Sequence, residues 1–333
     1  MKRLLCLLFA WTIVPPLMAQ VLPPHSIVAD QSVGEWIVEY SSWQWLQPTN
    51  QNPAFDSEGS RANNGQSGPV FFVTGGFYSG PQRPRHYTVP EGKYLLIPLL
   101  TIEVENIDNT PARSAEQLRD IAAEIIDTTV ELHAVVDEVL VPGLFAYRER
   151  APLFSLFVDS ADNLLSYGYQ HPVLGLIDPI VVEGYWLMLA PLRPGTHSII
   201  FGGTYGPPND YSYERTDFIT VIPIPLTQRV EELISLLQAS NLGPRLKRTL
   251  TEQLRAAGED FVRNHLRGGI EDLRQFQKKA RRGLATTDQS LADQLSDAAQ
   301  QIIDRAVAQI HTEEGKHHEN ENDDSDPRGH NTL

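Results

Sequence analysis

The hydrophobic period of this chain changes at Pro223-Ile224-Pro225 and does not change back. Upstream of that stiff segment, short apolar runs alternate with turns. Downstream, apolar residues recur every three or four positions to about His311. A period near two builds sheets and one near 3.6 builds helices, so a single layer cannot hold both. The expected fold class is therefore α+β: a mainly-β domain over residues 34–225, then a small all-α module over 226–311.

In the first region, residues 70–73, 94–100, 130–136, 139–141, 153–158, 180–191 and 196–201 read as strands, and a last strand runs through Phe218, Thr220 and Ile222. Pro98, inside one of them, calls for an edge position or a bulge. One helical insertion interrupts the series at 111–129, where Leu118, Ile121, Ala122, Ile125 and Ile126 keep helical spacing. Loops rich in Gly, Pro and Asn fill 47–69 and 167–179. Many short strands between turns make a β-sandwich of jelly-roll or Ig-like kind.

The second region carries four stripes: Val230 to Leu237, Leu246 to Leu254, Phe261 to Phe276, and Leu291 to Val307. Breaks are expected at 241–244 and Gly283, a bend at Gly268-Gly269, and an N-cap at Thr287-Asp288. Four stripes bury one another as a bundle. Residues 312–333 carry almost no apolar side chains and are expected to be a disordered acidic tail.

Residues 1–19 read as a secretory signal peptide: Lys2 and Arg3, an apolar run from Leu4, then Leu17-Met18-Ala19. Residues 20–33 form a leader, and no later segment is apolar enough to span a bilayer. The expected location is secreted or periplasmic. The one cysteine, Cys6, lies in the signal, which removes thiol catalysis, disulfides and Cys-based zinc sites from the remainder. Net charge is −14 over 20–225, +2 over 226–311 and −5 beyond. An acidic body disfavours nucleic acid as a partner.

Three of the five tryptophans fall within Gly34 to Trp45. Read as a helix, Trp36, Tyr40 and Trp43 form one stripe, with Gln44 beside it and Trp45 pointing away; Pro48 stops the helix. Such a helix either plugs one end of a β core or lends Trp43, Gln44 and Trp45 to a binding cleft.

The motifs Gly34-Glu35-Trp36, Trp43-Gln44-Trp45, Gly65-Gln66-Ser67-Gly68-Pro69-Val70, Val89-Pro90-Glu91-Gly92-Lys93, Gly184-Tyr185-Trp186 and Pro191-Leu192-Arg193-Pro194-Gly195-Thr196-His197 resemble a family of secreted bacterial proteins without an assigned activity. The resemblance implies two cysteines near Arg61-Ala62 and Tyr87, and a disulfide between them. This chain has neither, so a looser loop is expected there. Residues 265–276 and 292–303 are similar to a FIMAH-like helical module, which implies an accessory or interaction role. Neither resemblance carries a catalytic residue across.

Glu103, Glu105, Asn106 and Asp108 are the best hard-ligand cluster and the calcium candidate, with a solvated strand end as the plainer account. His197 follows a Pro-Gly turn. It is either a core histidine with one hydrogen bond or a general base beside Glu103, Glu105 or Glu183. Arg148 is a surface ion-pair partner or a clamp for an acidic ligand. No Gly-x-Ser-x-Gly elbow, His-Glu-x-x-His, phosphate-cradling glycine loop or dinucleotide fingerprint occurs.

The leading expectation is a secreted, non-catalytic binding protein. Trp36, Tyr40, Trp43, Gln44, Trp45, Arg148, Tyr185 and Trp186 would take a glycan or cell-surface polymer, and the helical module a protein partner. No cofactor is expected beyond the calcium candidate. The alternatives are a polysaccharide- or peptide-active hydrolase or lyase using His197 and a carboxylate, and a structural envelope protein.

Overall fold

In the computed structural model the described residues are 21–75, 80–284 and 288–323, the side chains of Pro81 and of 315–323 excepted. The expected signal peptide lies outside them. The chain divides into two compact units between Pro223 and Ile224.

The first unit runs β1 (Ile27–Val28), β2 (Gln31–Ser32), α1 (Val33–Leu46), β3 (Val70–Phe72), β4 (Gly80–Pro81), β5 (Arg85–Pro90), β6 (Tyr94–Glu105), α2 (Ala115–Ile126), β7 (Thr129–Val136), β8 (Val139–Leu140), β9 (Arg148–Arg150), β10 (Phe154–Val158), α3 (Leu164–Tyr169), β11 (Gly175–Leu189), β12 (Gly195–Tyr205) and β13 (Ser212–Ile222). One sheet has the order β10-β11-β6-β3, with β9 also on β11. A second has the order β4-β13-β12-β7-β8, with β5 also on β13, and β1 pairs β2 alone. Pairing is antiparallel except for β3 on β6 and for β4 and β5 on β13. The unit is α+β.

The two large sheets share one core. Phe71, Leu95, Ile97, Leu99 and Leu187 from the first meet Val89, Val136, Ile199, Phe201 and Ile219 from the second. Each such side chain contributes roughly 1.5–3 kcal/mol by leaving water. The other face of the first sheet is covered by α1 and α3, whose Trp36, Ile37, Tyr40, Leu164 and Leu165 pack on Phe72, Leu96, Trp186 and Met188. Helix α2 lays Leu118 and Ala122 on Val181 of the opposite face.

Helix α1 starts where Ser32 and Glu35 form a reciprocal capping box, and it stops as Gln47 turns extended ahead of Pro48. Trp45, off the aromatic stripe on the helical wheel, is nonetheless core. It is 1% exposed and tilts against Phe154, because β10 flanks the helix on a second side. The leader is stitched to the sheet: Leu22 N donates to Met188 O at 2.9 Å. The loop expected to be loose for want of a disulfide is tied by His86 N donating to Glu58 O at 2.8 Å and Asn63 Nδ2 to Thr88 O at 3.0 Å.

Several local readings shift. Strand β11 begins at Gly175, inside the expected loop 167–179, and the short α3 precedes it. Strand β13 is one residue out of phase with the sequence reading. Its inner face carries Tyr213, Arg215, Asp217, Ile219 and Val221, while Phe218 stacks outside on His86. A one-residue phase change exchanges the two faces of a strand, and here the inner face is unusually polar.

The second unit is four helices around one core: α4 (Leu226–Ala239), α5 (Pro244–Val262), α6 (Leu266–Leu284) and α7 (Gln289–Asp323). Gly268-Gly269 lies within the first turn of α6 and does not bend it. A Cβ on Gly269 would come within 2.4 Å of the Phe261 ring, so glycine is needed there for close helix contact. Asp288 Oδ1 accepts from Leu291 N, as the expected N-cap would. Helix α7 runs past His311, with Thr312 Oγ1 donating to Ala308 O and Gln309 Nε2 to Glu313 Oε1. The helix thus takes in the first part of the stretch expected to be disordered, and 324–333 lie outside the described residues. No described helix is long and apolar enough to cross a membrane.

Candidate functional site

Strand β6 pairs with β3 only through Tyr94, Leu95 and Leu96. From Ile97 onward it is a sheet edge on that side, and the register opposite β11 slips between Tyr185 and Trp186, bulging the strand at Leu99. Pro98 suits this place because it has no N–H to leave unpaired. The expectation drawn from that proline, an edge or a bulge, meets both here. Along this edge opens a cleft of about 450 Å³. Its walls are Tyr40 and Gln44 from α1, Pro98 and Leu100 to Glu103 from β6, Ile125 from α2, Leu164 from α3, and Tyr205, Asn209, Tyr211 and Tyr213 around the β12–β13 turn.

Four tyrosines and Glu103 therefore line one cleft. Tyr213 Oη donates to Pro98 O at 2.5 Å, and Gly75 N donates to Tyr40 Oη at 3.4 Å. The Tyr211 ring centre lies 6.0 Å from that of Tyr213 and 6.1 Å from that of Tyr205. Tyr205 Oη is buried without a hydrogen-bond partner. Burial pushes all four phenols above their ordinary range, Tyr211 to about 12, so they stay neutral donors.

Glu103 lines the cleft, and burial pushes its carboxyl up to about 8, with the neighbouring Glu105 adding to the rise. Most of the population is then protonated at neutral pH. Burial also raises Glu105, although Tyr169 Oη donates to its Oε1 at 2.7 Å; its Oε2 has no partner.

Glu183, one residue out of register with Glu103 across the β6–β11 pair, projects from the opposite face. There Arg148 Nε donates to Oε1 at 2.8 Å and Arg150 Nε to Oε2 at 2.9 Å. Arg148 also holds Asp127 at 2.6 Å, so it is a structural clamp between two acids of this chain. His197 has both ring nitrogens engaged elsewhere, Nδ1 2.7 Å from Asp137 Oδ2 and Nε2 2.8 Å from Arg193 O. The structure does not assemble His197 with any of the three glutamates. Nor does it assemble the calcium candidates: Asn106 Oδ1 accepts from Arg113 N, and Asp108 Oδ2 lies 2.6 Å from His171 Nε2. Among the described residues no group of three or more acidic or histidine side chains could hold a metal ion.

The aromatic stripe is mainly core. Trp36, Tyr40, Trp45, Tyr185 and Trp186 are each 5% exposed or less, and Trp36 Nε1 donates to Val28 O at 2.9 Å. Half-buried Trp43 donates to Asn64 O and braces the long loop. Of these candidates only Tyr40 and Gln44 reach the cleft. Tyr205, Asn209, Tyr211 and Tyr213 were missed. The signal was there in Tyr211, Tyr213, Arg215 and Asp217, four polar or polar-ended residues at period two, which reads as a solvent-facing edge unless the strand's phase is known.

Comparison with protein-family models, curated proteins and solved structures finds no match to this chain.

Proposed function

We propose that this is a secreted or periplasmic binding protein whose jelly-roll or Ig-like sandwich takes a sugar-type ligand in the cleft beside β6. The helical unit then serves a protein partner, as its FIMAH-like sequence suggests. The observation that carries the reading is the lining: four neutral tyrosines with Gln44, Asn209 and one carboxyl along a strand edge. Phenol faces pack on apolar ring faces while hydroxyl, amide and carboxyl groups meet hydroxyls. Replacing Trp43 and Trp45 would not test this, because Trp45 is core. The suitable pair is Tyr211→Ala with Gln44→Ala, assayed by co-sedimentation with a panel of bacterial and algal polysaccharides. Binding should fall at least about tenfold at an unchanged melting temperature, the loss of one or two good contacts. Unaltered binding would remove the site.

One observation favours an enzyme as the second reading. Glu103 lines the cleft, and a carboxyl that burial pushes up to about 8 suits a general acid. In that case Glu103 acts without His197, and mass spectrometry of the same incubations should find released fragments that Glu103→Gln abolishes.

A further inference from the structure

The inner face of β13 leads from the cleft into the sandwich. Tyr213 lines the cleft, Arg215 follows two residues deeper on the same face, and Asp217 comes next. Asp217 is fully engaged: Arg85 Nε donates to Oδ1 at 2.9 Å, Arg85 Nη2 to Oδ2 at 2.5 Å, and Tyr87 Oη to Oδ2 at 2.8 Å. Arg85 Nη2 also donates to Thr74 O. None of these bonds reaches Arg215, which feels the Asp217 charge but is 4% exposed with Nε and Nη1 buried and without hydrogen-bond partners. Two buried guanidinium groups thus face one buried carboxylate. Burying an uncompensated charge is strongly unfavourable, so a buried donor pair left empty marks a place for an acceptor from outside.

The surroundings agree on the sign of that acceptor. Arg215 shares the inner face of β13 with the cleft-lining Tyr213, and its charge opposes the upward shift of the Tyr40, Tyr211 and Tyr213 phenols. Tyr205 Oη is a further buried group with no partner. Glu103 is mostly neutral at pH 7 and adds little repulsion.

We infer that the inner end of the cleft is an anion subsite, in which Arg215 receives the carboxylate of an acidic sugar, a uronate unit. The sugar part rests on the function proposed above; the anion part rests on Arg215 alone. A guanidinium holds a carboxylate through charge-assisted N–H···O bonds, and either free nitrogen, Nε or Nη1, can donate one.

The test is isothermal titration of the wild-type chain and of Arg215→Gln with a short oligogalacturonate, its fully methyl-esterified form and acetate. Esterification removes the charge and keeps the ring. The acid form should bind at least about tenfold more tightly than the ester, and Arg215→Gln should erase that preference while leaving ester binding in place, as expected for loss of one charge-assisted pair. Equal binding of acid and ester, or a preference that survives in Arg215→Gln, overturns the subsite and leaves the cleft as a neutral-sugar site. Acetate binding that depends on Arg215, with no affinity for either saccharide, supports the subsite and removes the sugar reading. Absence of any carboxylate binding overturns the subsite. If Arg215→Gln does not fold, the wild-type melting temperature decides: the acid form should raise it more than the ester.

Discussion

Arg85 and Arg215 enter the same interior from neighbouring strands and end in opposite conditions. Arg85 is closed: its guanidinium meets Asp217, Thr74 O lies beneath, and the Tyr87 ring centre is 5.6 Å away. Arg215 is open, with two buried nitrogens unmatched and desolvation pulling its basicity down to about 10. The first region is architecture, a polar plug complete within the fold. The second borders the cleft, and its incompleteness is what gives it chemistry. A buried charge indicates function only after its partners have been counted.

Four substitutions test this contrast. Arg85→Met should be the most damaging, costing about 3–5 kcal/mol because it leaves Asp217 buried and unpaired. Urea unfolding followed by tryptophan emission reads the first unit alone, since all described tryptophans lie there. Glu103→Gln should change stability by about 1–3 kcal/mol at high pH. The folded carboxyl holds its proton more tightly than the unfolded one, with about 8 against 4.5. Its contribution is therefore present below pH 4.5 and lost as the pH rises through about 8. The variant should abolish that loss and be the more stable form above it. Arg215→Met should act in the opposite direction to Arg85→Met, raising stability by about 1–2 kcal/mol through removal of an uncompensated charge; a large loss instead would mean that Arg215 is closed too. Ser32→Ala, at the α1 capping box, should cost only about 1 kcal/mol and add independently to each of the others.

Much of the architecture was legible. The aromatic run marked α1 because its side chains repeat at helical spacing, Pro98 marked an edge, and the four bundle helices followed from their stripes. Glu103 was singled out, though as a calcium ligand or a partner of His197 and not for the cleft it lines. Strand β5 was not legible, since Arg85-His86-Tyr87-Thr88-Val89-Pro90 follows a Pro/Arg stretch that reads as loop, and its parallel partner β13 comes far later in the chain. Arg215 and Asp217 were unreadable for a related reason. Polar residues at period two indicate the wet face of a strand, and only the pairing of Asp217 with Arg85 reverses that reading.

Strand β11 also fixes an order of events. Helix α1 rests on Trp186 and Met188, the leader clips to Met188, and β6, β9 and β10 all pair with it. The leader, α1, β9 and β10, all made before Gly175, must wait for this strand, and closure of such distant contacts is slow. During that interval Trp36 and Trp45 have Phe72 and Phe154 beside them but lack the β11 surface that completes their burial, and half-covered tryptophans invite association between chains. A chain ending before Gly175 would gather into aggregates, however complete its earlier strands.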